Sequence, residues 1–138
     1  MNKKVLFSII LSLASVGCSA GSPKDRGADA ANSGRYAEAY KLWLPLAENG
    51  DSEVQESVAL LLISDEDLGV ALPKDQRERL ALKWVVRSAR NGNKSAMTWL
   101  GQAMQNGWHG LPANPVQAAC WLAAGESKRA ASSCVAPD

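Results

Sequence analysis

The sequence has few of the residues that metal and redox sites use. Histidine occurs once, as His109, which excludes a metal site with two imidazole ligands. The three cysteines, at positions 18, 120 and 134, stand too far apart to form a CxxC zinc or redox motif. The 15 Lys and Arg residues barely outnumber the 14 Asp and Glu residues, whereas a nucleic-acid-binding protein usually carries a basic excess. We therefore expect no cofactor, no metal ion and no nucleic-acid partner.

The chain starts with a short apolar run behind two lysines. Lys3 and Lys4 precede residues 5–16, which are apolar apart from three serines. A helix of that length spans only about 18 Å, whereas the hydrocarbon core of a membrane is about 30 Å thick. Residues 1–17 are therefore predicted to be a cleaved signal peptide rather than a membrane anchor. Their removal leaves 121 of the 138 residues, enough for one domain.

Two cleavage sites compete at the end of this leader. The run Ser15-Val16-Gly17-Cys18 resembles the lipobox of bacterial lipoproteins, which implies lipidation of Cys18 and anchoring to a membrane. Ser19, directly after the cysteine, resembles the residue found there in lipoproteins sorted to the outer membrane. The resemblance therefore implies a protein anchored in the outer membrane and facing the periplasm. The alternative is ordinary signal cleavage after Ala20, because Cys18-Ser19-Ala20 is a small-x-small pattern.

The segment after the leader has almost no bulky apolar residue. Residues 19–33 consist mainly of Gly, Ser, Ala, Pro and Asp. Such a composition cannot bury enough apolar surface to offset the conformational entropy of ordering the chain. We therefore expect residues 18–33 to form a flexible tether.

A repeated pattern occupies the rest of the chain. A small residue stands three positions before a large apolar one in Ala39–Leu42, Ala81–Trp84 and Ala118–Trp121, at offsets of 42 and 37 residues. Residues 47–50 and 89–92 both read Ala-x-Asn-Gly, again 42 apart. Periods of this length are typical of helical repeat proteins. Asn-Gly after an apolar helical stripe predicts a helix C-terminus.

The helix starts agree with this repeat. Asp51, Asn93 and Asn114 stand where N-caps are expected, and Asp75 with Glu78 has the spacing of a capping box. No stretch alternates between apolar and polar residues as a strand would. The sequence therefore predicts an all-α protein with helices at about 35–48, 51–64, 75–91, 93–106 and 114–125.

These residues resemble the Sel1-like repeat family, which is related to tetratricopeptide repeats. The resemblance rests on Ala96-Met97-Thr98-Trp99-Leu100-Gly101, on the glycine loop 107–111 and on residues 114–121, where Asn114, Ala118 and Trp121 fit the pattern. Residues 34–51 resemble the half-repeat that opens such arrays. The resemblance implies a short α/α superhelical solenoid of about two and a half repeats over residues 34–125, used as a protein-binding scaffold. Residues 126–138 remain as a C-terminal tail.

Two cysteines lie near the end of the chain. Cys120 falls in the last predicted helix and Cys134 in the tail, 14 residues later. In an oxidising periplasm we expect these residues to form a disulfide that pins the tail. The alternative is a buried free Cys120 with a loose tail.

The tryptophans differ in their predicted roles. Trp84 and Trp121 occupy the packing position of the family and are expected in the core. Trp99 lies off the inward stripe of its helix, so it either packs beneath a loop or tail or contacts a partner. We expect Trp99, Trp108 and Leu61 to bind a partner protein on the concave face, which the first helix of each repeat lines in this family.

The function expected from these features is a non-catalytic protein-binding adaptor of the bacterial cell envelope. An immunity or inhibitor protein that neutralises a secreted toxin enzyme is a variant of the same class. A small periplasmic hydrolase is the alternative from another class, but the single histidine has no accompanying triad motif. A structural protein that contacts peptidoglycan is a third alternative.

Overall fold

A computed structural model describes residues 21–64 and 67–137, and these residues are all-helical, as predicted. The leader 1–17 and Cys18 lie outside the described residues, so the predictions of a signal peptide and of lipidation are not addressed by the fold. The helices are α1 Pro23–Asn32, α2 Tyr36–Glu48, α3 Ser52–Ile63, α4 Lys74–Arg90, α5 Lys94–Asn106 and α6 Pro115–Gly125, followed by a short 3-10 helix Ala131–Ser133. None of the helices in the described ranges is long and apolar enough to cross a membrane.

The helices pack in the order in which they follow each other in the chain. The most extensive contacts join α1 with α2, α3 with α4, and α5 with α6, which gives three helical hairpins. Further contacts join α2 with α3 and α4 with α5, so the hairpins follow one another as a series. All five predicted helices are present, and each of their ends agrees with the prediction to within one residue.

The turns at Gly50 and Gly92 explain why the helix boundaries could be predicted from the sequence. Gly50 and Gly92 have φ values of 101° and 94°, which glycine adopts without steric cost. The next residue in each turn reaches back to a carbonyl of the last helical turn: the Asp51 N–H donates to the Leu46 carbonyl at 3.2 Å. Asn93 forms the same bond to Ser88 at 3.1 Å. This arrangement satisfies carbonyls that the helix end would otherwise leave unpaired.

Three of the four predicted helix starts are confirmed. The side chains of Asp51, Asn93 and Asn114 each accept a backbone N–H of the first helical turn. The predicted capping box at Asp75 is wrong, because α4 begins one residue earlier. The Pro73 carbonyl accepts the first N–H groups of that helix, and the Asp75 carboxylate instead pairs with Arg79 four residues on, at 2.7 Å.

The prediction of a flexible tether over residues 18–33 is wrong for residues 23–32, which form helix α1. This helix packs on α2 through its smallest residues, since Gly27 and Ala30 are both buried. The Trp43 indole Nε1 donates a hydrogen bond to the Lys24 carbonyl at 3.1 Å. The composition argument failed because this helix docks through glycine and alanine and accepts a bulky side chain from its neighbour. The first hairpin is therefore complete, where the sequence indicated only half a repeat.

Polar contacts hold the start of α1 in place. Ser22 and Asp25 form a reciprocal capping box. The Lys24 ammonium lies 3.1 Å from the Asp51 carboxylate and 2.6 Å from that of Glu53. Burial on its own would raise the pKa of Asp51. The hydrogen bonds from N–H groups of α3 and from Lys24 outweigh it, so the pKa is lowered.

Buried polar side chains fix the relative positions of the hairpins. Gln55 is fully buried, and its amide donates to the Ala47 carbonyl at 2.9 Å and accepts from the Asn91 amide at 3.1 Å. The hydroxyl of buried Ser88 donates to the Ser52 carbonyl at 2.6 Å. These bonds link the end of α2 and the start of α3 to the end of α4. A shift between hairpins would leave these groups unpaired inside the protein.

Candidate protein-binding surfaces

An aromatic surface forms where α5 meets the loop that follows it. The rings of Trp99 and His109 stack with their centroids 5.1 Å apart and an interplanar angle of 21°. The loop turns sharply, because Gly107, His109 and Gly110 all have positive φ, and His109 itself stands at 55°. Such a backbone is uncommon for a residue with a side chain. Trp108, next to His109, is 49% exposed. We call Trp99, Trp108 and His109 the aromatic surface.

The structure places the predicted binding residues as follows. Trp99 is half-buried and stacks on His109 of the following loop, and its contact with a partner stays a prediction. Trp108 is exposed. The prediction for Leu61 is wrong: it is 8% exposed and belongs to the core, whereas Leu60 is 51% exposed. The helical rotation of about 100° per residue explains the exchange, because the buried stripe through Val58 continues to Leu61 and turns Leu60 outwards.

The predicted disulfide between Cys120 and Cys134 is confirmed, and the alternative with a free Cys120 is wrong. The bond joins α6 to the tail, whose backbone also makes two hydrogen bonds to α6. The Trp121 indole donates to the Val135 carbonyl at 2.9 Å, and the Val135 N–H donates to the Gln117 side chain at 3.0 Å. Side chains of α6 thus hold an extended chain segment through its backbone.

Beyond α6 the tail reaches α4. The 3-10 helix packs against both α6 and α4, and Pro137 lies at the boundary between two cavities. One cavity, of about 570 Å³, lies between α4, the loop 109–112 and the tail. The other, of about 480 Å³, runs along α4 towards its C-terminus, and we call it the α4 groove. Arg79, Leu82 and Pro137 line both, so the two cavities lie side by side.

The α4 groove is apolar at its floor and basic at its sides. Leu82 and Val86 are half-buried, and the charged side chains that line it are all cationic. These cations are Arg79, Lys83, Arg87 and Arg90. Arg79 pairs with Asp75, but neither Lys83 nor Arg90 forms an ion pair anywhere in the described ranges.

A second groove lies on α2 at the corresponding place of the first hairpin. It has a volume of about 590 Å³ and is bounded by α2 and by residues 68–70. Its residues Tyr40, Lys41 and Leu44 stand 42 positions before Leu82, Lys83 and Val86. Burial, followed by the Glu48 carboxylate, raises the pKa of Tyr40. The groove on α2 is lined by the carboxylates of Glu38 and Glu48, whereas no carboxylate lines the α4 groove.

Sequence reasoning missed both grooves, although the repeat contained a usable signal. Aligning α2 with α4 at the 42-residue offset would have shown a shared outward stripe with a basic replacement on α4, where Glu48 gives way to Arg90.

Within the residues that the structure describes, no three His, Cys, Asp or Glu side chains are grouped to hold a metal ion. Comparison of the chain with family models, with curated proteins and with solved structures gives no match.

Proposed function

We propose that this protein is a non-catalytic adaptor of the bacterial cell envelope that binds another protein. The aromatic surface is the observation that carries the proposal. Tryptophan is enriched among residues that dominate binding energy, since it offers a large contact area with little loss of side-chain entropy. Here Trp99 is carried on a helix and ordered by the His109 ring, and Trp108 extends the surface into solvent. The helix and the stacked His109 ring both order Trp99 in advance, which reduces the side-chain entropy that it loses when a partner docks.

The arrangement of the helices supports a scaffold of the Sel1-like type. Three helical hairpins follow one another in series, with the glycine turns at Gly50 and Gly92 between them, which is an arrangement expected of helix-turn-helix repeats. We propose that the hairpins stack as a short superhelical solenoid, with the aromatic surface on the side lined by the first helix of each hairpin. In such arrays each repeat contacts only its neighbours, which leaves long surfaces open to partners.

Export to the periplasm is part of the proposal. The Cys120–Cys134 disulfide supports it, because disulfides persist in oxidising compartments. Lipidation of Cys18 would bring the domain close to the membrane, since α1 begins at Pro23. The intervening chain can span at most about 18 Å, even when fully extended. Labelled palmitate incorporated by the wild type and not by Cys18→Ser would support the anchor, and a wild type without label would contradict it.

The test of the adaptor role is capture of a partner from envelope extract. We expect the wild type to retain a specific protein, identified by mass spectrometry, and Trp99→Ala and Trp108→Ala to lose it while remaining folded. Val116→Ala is the matched control, because Val116 is also an exposed apolar side chain but lies on α6, the second helix of its hairpin. Capture that is equally strong with Trp99→Ala, or that is lost only with Val116→Ala, would contradict the proposed surface.

A further inference from the structure

The tail shows what the outer face of the second helix in a hairpin can bind. On α6 this face is occupied by residues 134–137 of the same chain. The disulfide holds this segment, and the backbone of Val135 donates to the Gln117 side chain and accepts from the Trp121 indole. Cys134 has extended backbone angles, with φ −97° and ψ 138°. The bound segment is therefore an extended peptide, and its backbone rather than a bulky side chain is what α6 recognises.

The same positions on α4 face no such segment. At the 37-residue offset, Lys83 corresponds to Cys120, Trp84 to Trp121 and Arg87 to Ala124. The indole of Trp84 is buried, and its Nε1 is the one buried side-chain donor in the described residues that has no hydrogen-bond partner. The Arg87 guanidinium lies over this ring, 5.4 Å from its centroid, on the side of the α4 groove.

We propose that the α4 groove binds an extended, acidic peptide segment of a partner protein, laid beside the tail. This inference rests on the adaptor function proposed above and names a second contact surface for it. Carboxylates of the segment pair with Lys83 and Arg90, which have no ion-pair partner among residues 21–64 and 67–137. Its apolar residues lie on Leu82 and Val86, and its path continues from Pro137 along α4.

The shape and lining of the groove favour a peptide over an anionic lipid surface. Its floor is apolar, formed by Leu82 and Val86, and cationic side chains stand along its length of about three helical turns, from Arg79 to Arg90. Such a groove, of about 480 Å³, suits a row of small apolar and acidic side chains. Arg87 also lines it, but its guanidinium donates to the Glu48 carbonyl at 3.1 Å, so Lys83 and Arg90 are the cations offered to the segment.

The first experiment selects peptides for the groove. Random 12-residue peptides displayed on phage are selected on the full-length protein, and enriched peptides are synthesised with fluorescein for anisotropy measurements. We expect enrichment of Asp and Glu interspersed with small apolar residues. Affinity for the variant with both Lys83→Glu and Arg90→Glu should fall at least about tenfold, because each attractive charge becomes repulsive. Binding should also weaken as salt rises from about 50 to about 300 mM.

The matched control is Lys41→Glu, which places the same reversal at the corresponding position of α2. It should leave binding unchanged, and thermal melts should show that all variants are folded. The indole N–H resonance of Trp84, assigned with Trp84→Phe, should shift when the peptide binds. Neutral or basic selected peptides, equal affinity for the α4 double variant, or loss of binding with Lys41→Glu would each overturn the proposal.

Anionic vesicles and the natural partner complete the test. Phosphatidylglycerol vesicles that bind the wild type and not the α4 double variant, with no acidic peptide enriched, would assign the groove to lipid and overturn the proposal. A natural partner lost by Trp99→Ala but retained by the double variant would overturn the groove and leave the adaptor function standing. Acidic peptides that bind as expected, with no partner captured from extract, would support the groove and contradict the aromatic surface.

Discussion

Gly27→Ala decides whether α1 is docked on the domain or is the tether that its composition indicated. In an isolated helix this change stabilises by about 1 kcal/mol, because alanine has the higher helix propensity. In the structure a Cβ atom at Gly27 would lie 2.1 Å from Trp43 Nε1, and 2.5 and 2.7 Å from two other atoms of the ring. Real Cβ contacts are not that short, so either the indole or the helix must move.

The expected result is a net loss of stability. Overpacking of a well-packed contact costs about 1–3 kcal/mol, and here the Trp43 hydrogen bond to α1 is strained as well. Strain of the hydrogen bond costs about 1 kcal/mol, which offsets the propensity gain, so we expect a destabilisation of about 1–3 kcal/mol. For the 117 residues from 21 to 137 this corresponds to a melting temperature lower by about 4–12 °C.

Hydrogen exchange gives the local measurement, because a terminal helix can undock without unfolding the rest. In Gly27→Ala the amides of α1 should exchange faster than in the wild type, and trypsin should cleave sooner after Arg26. Asp29→Ala is the control, since it raises helix propensity at an exposed position of the same helix. If Gly27→Ala stabilises the protein as Asp29→Ala does, α1 is not docked and the tether interpretation is correct.

Three further predictions test the core, the disulfide and the charge on the α1 side. Trp84→Ala should cost about 3–5 kcal/mol in urea unfolding, whereas half-buried Trp99→Ala should cost about 1 kcal/mol; equal costs would place Trp99 in the core. Cys134→Ser should lower stability by about 3 kcal/mol and raise the protease sensitivity of the tail; an unchanged unfolding midpoint would refute the role of the disulfide. Asp51→Asn keeps the N-cap but removes the carboxylate, whose pKa is lowered on folding. The ionised Asp51 carboxylate therefore stabilises the wild type above a pH of about 4, and this contribution is lost as the pH falls through the lower pKa of the folded state. The stabilities of the wild type and Asp51→Asn should thus differ modestly at pH 7 and converge in acid. A difference that persists at pH 2 would contradict this linkage.

The helix boundaries were predictable because they depend on local chemistry. Asn-Gly at 49–50 and 91–92 ends a helix wherever the flanking chain is helical, and a carboxylate or amide at Asp51 and Asn93 caps the next one. Helix α1 carried the same local signals, with Ser22 before a proline and an acidic residue at the third position. These signals were outweighed by a composition argument, which assumes that a helix must bring its own large apolar residues to the contact.

The binding surfaces were less predictable because they depend on rotation and on loop geometry. Residues 60–63 read Leu-Leu-Leu-Ile, so periodicity alone cannot say which of them faces out. In the structure Val54 and Val58 are buried, and this rotation of α3 leaves Leu60 as the exposed one of the four. The stacking of His109 on Trp99 requires a positive φ at a residue other than glycine, and no sequence pattern specifies that.

Both ends of the helical array are closed in the same way, which explains why neither closure was visible in the composition. At one end the Trp43 indole donates to the Lys24 carbonyl of α1, and at the other the Trp121 indole donates to the Val135 carbonyl of the tail. A buried indole N–H requires an acceptor, and any backbone can supply one, so the closing segments need no large apolar side chains of their own. Trp84 lies between these two and buries the same group without an acceptor, at a cost of about 1–3 kcal/mol. Within the described residues the array therefore pairs a buried indole donor at both ends and leaves one unpaired in the middle, at Trp84.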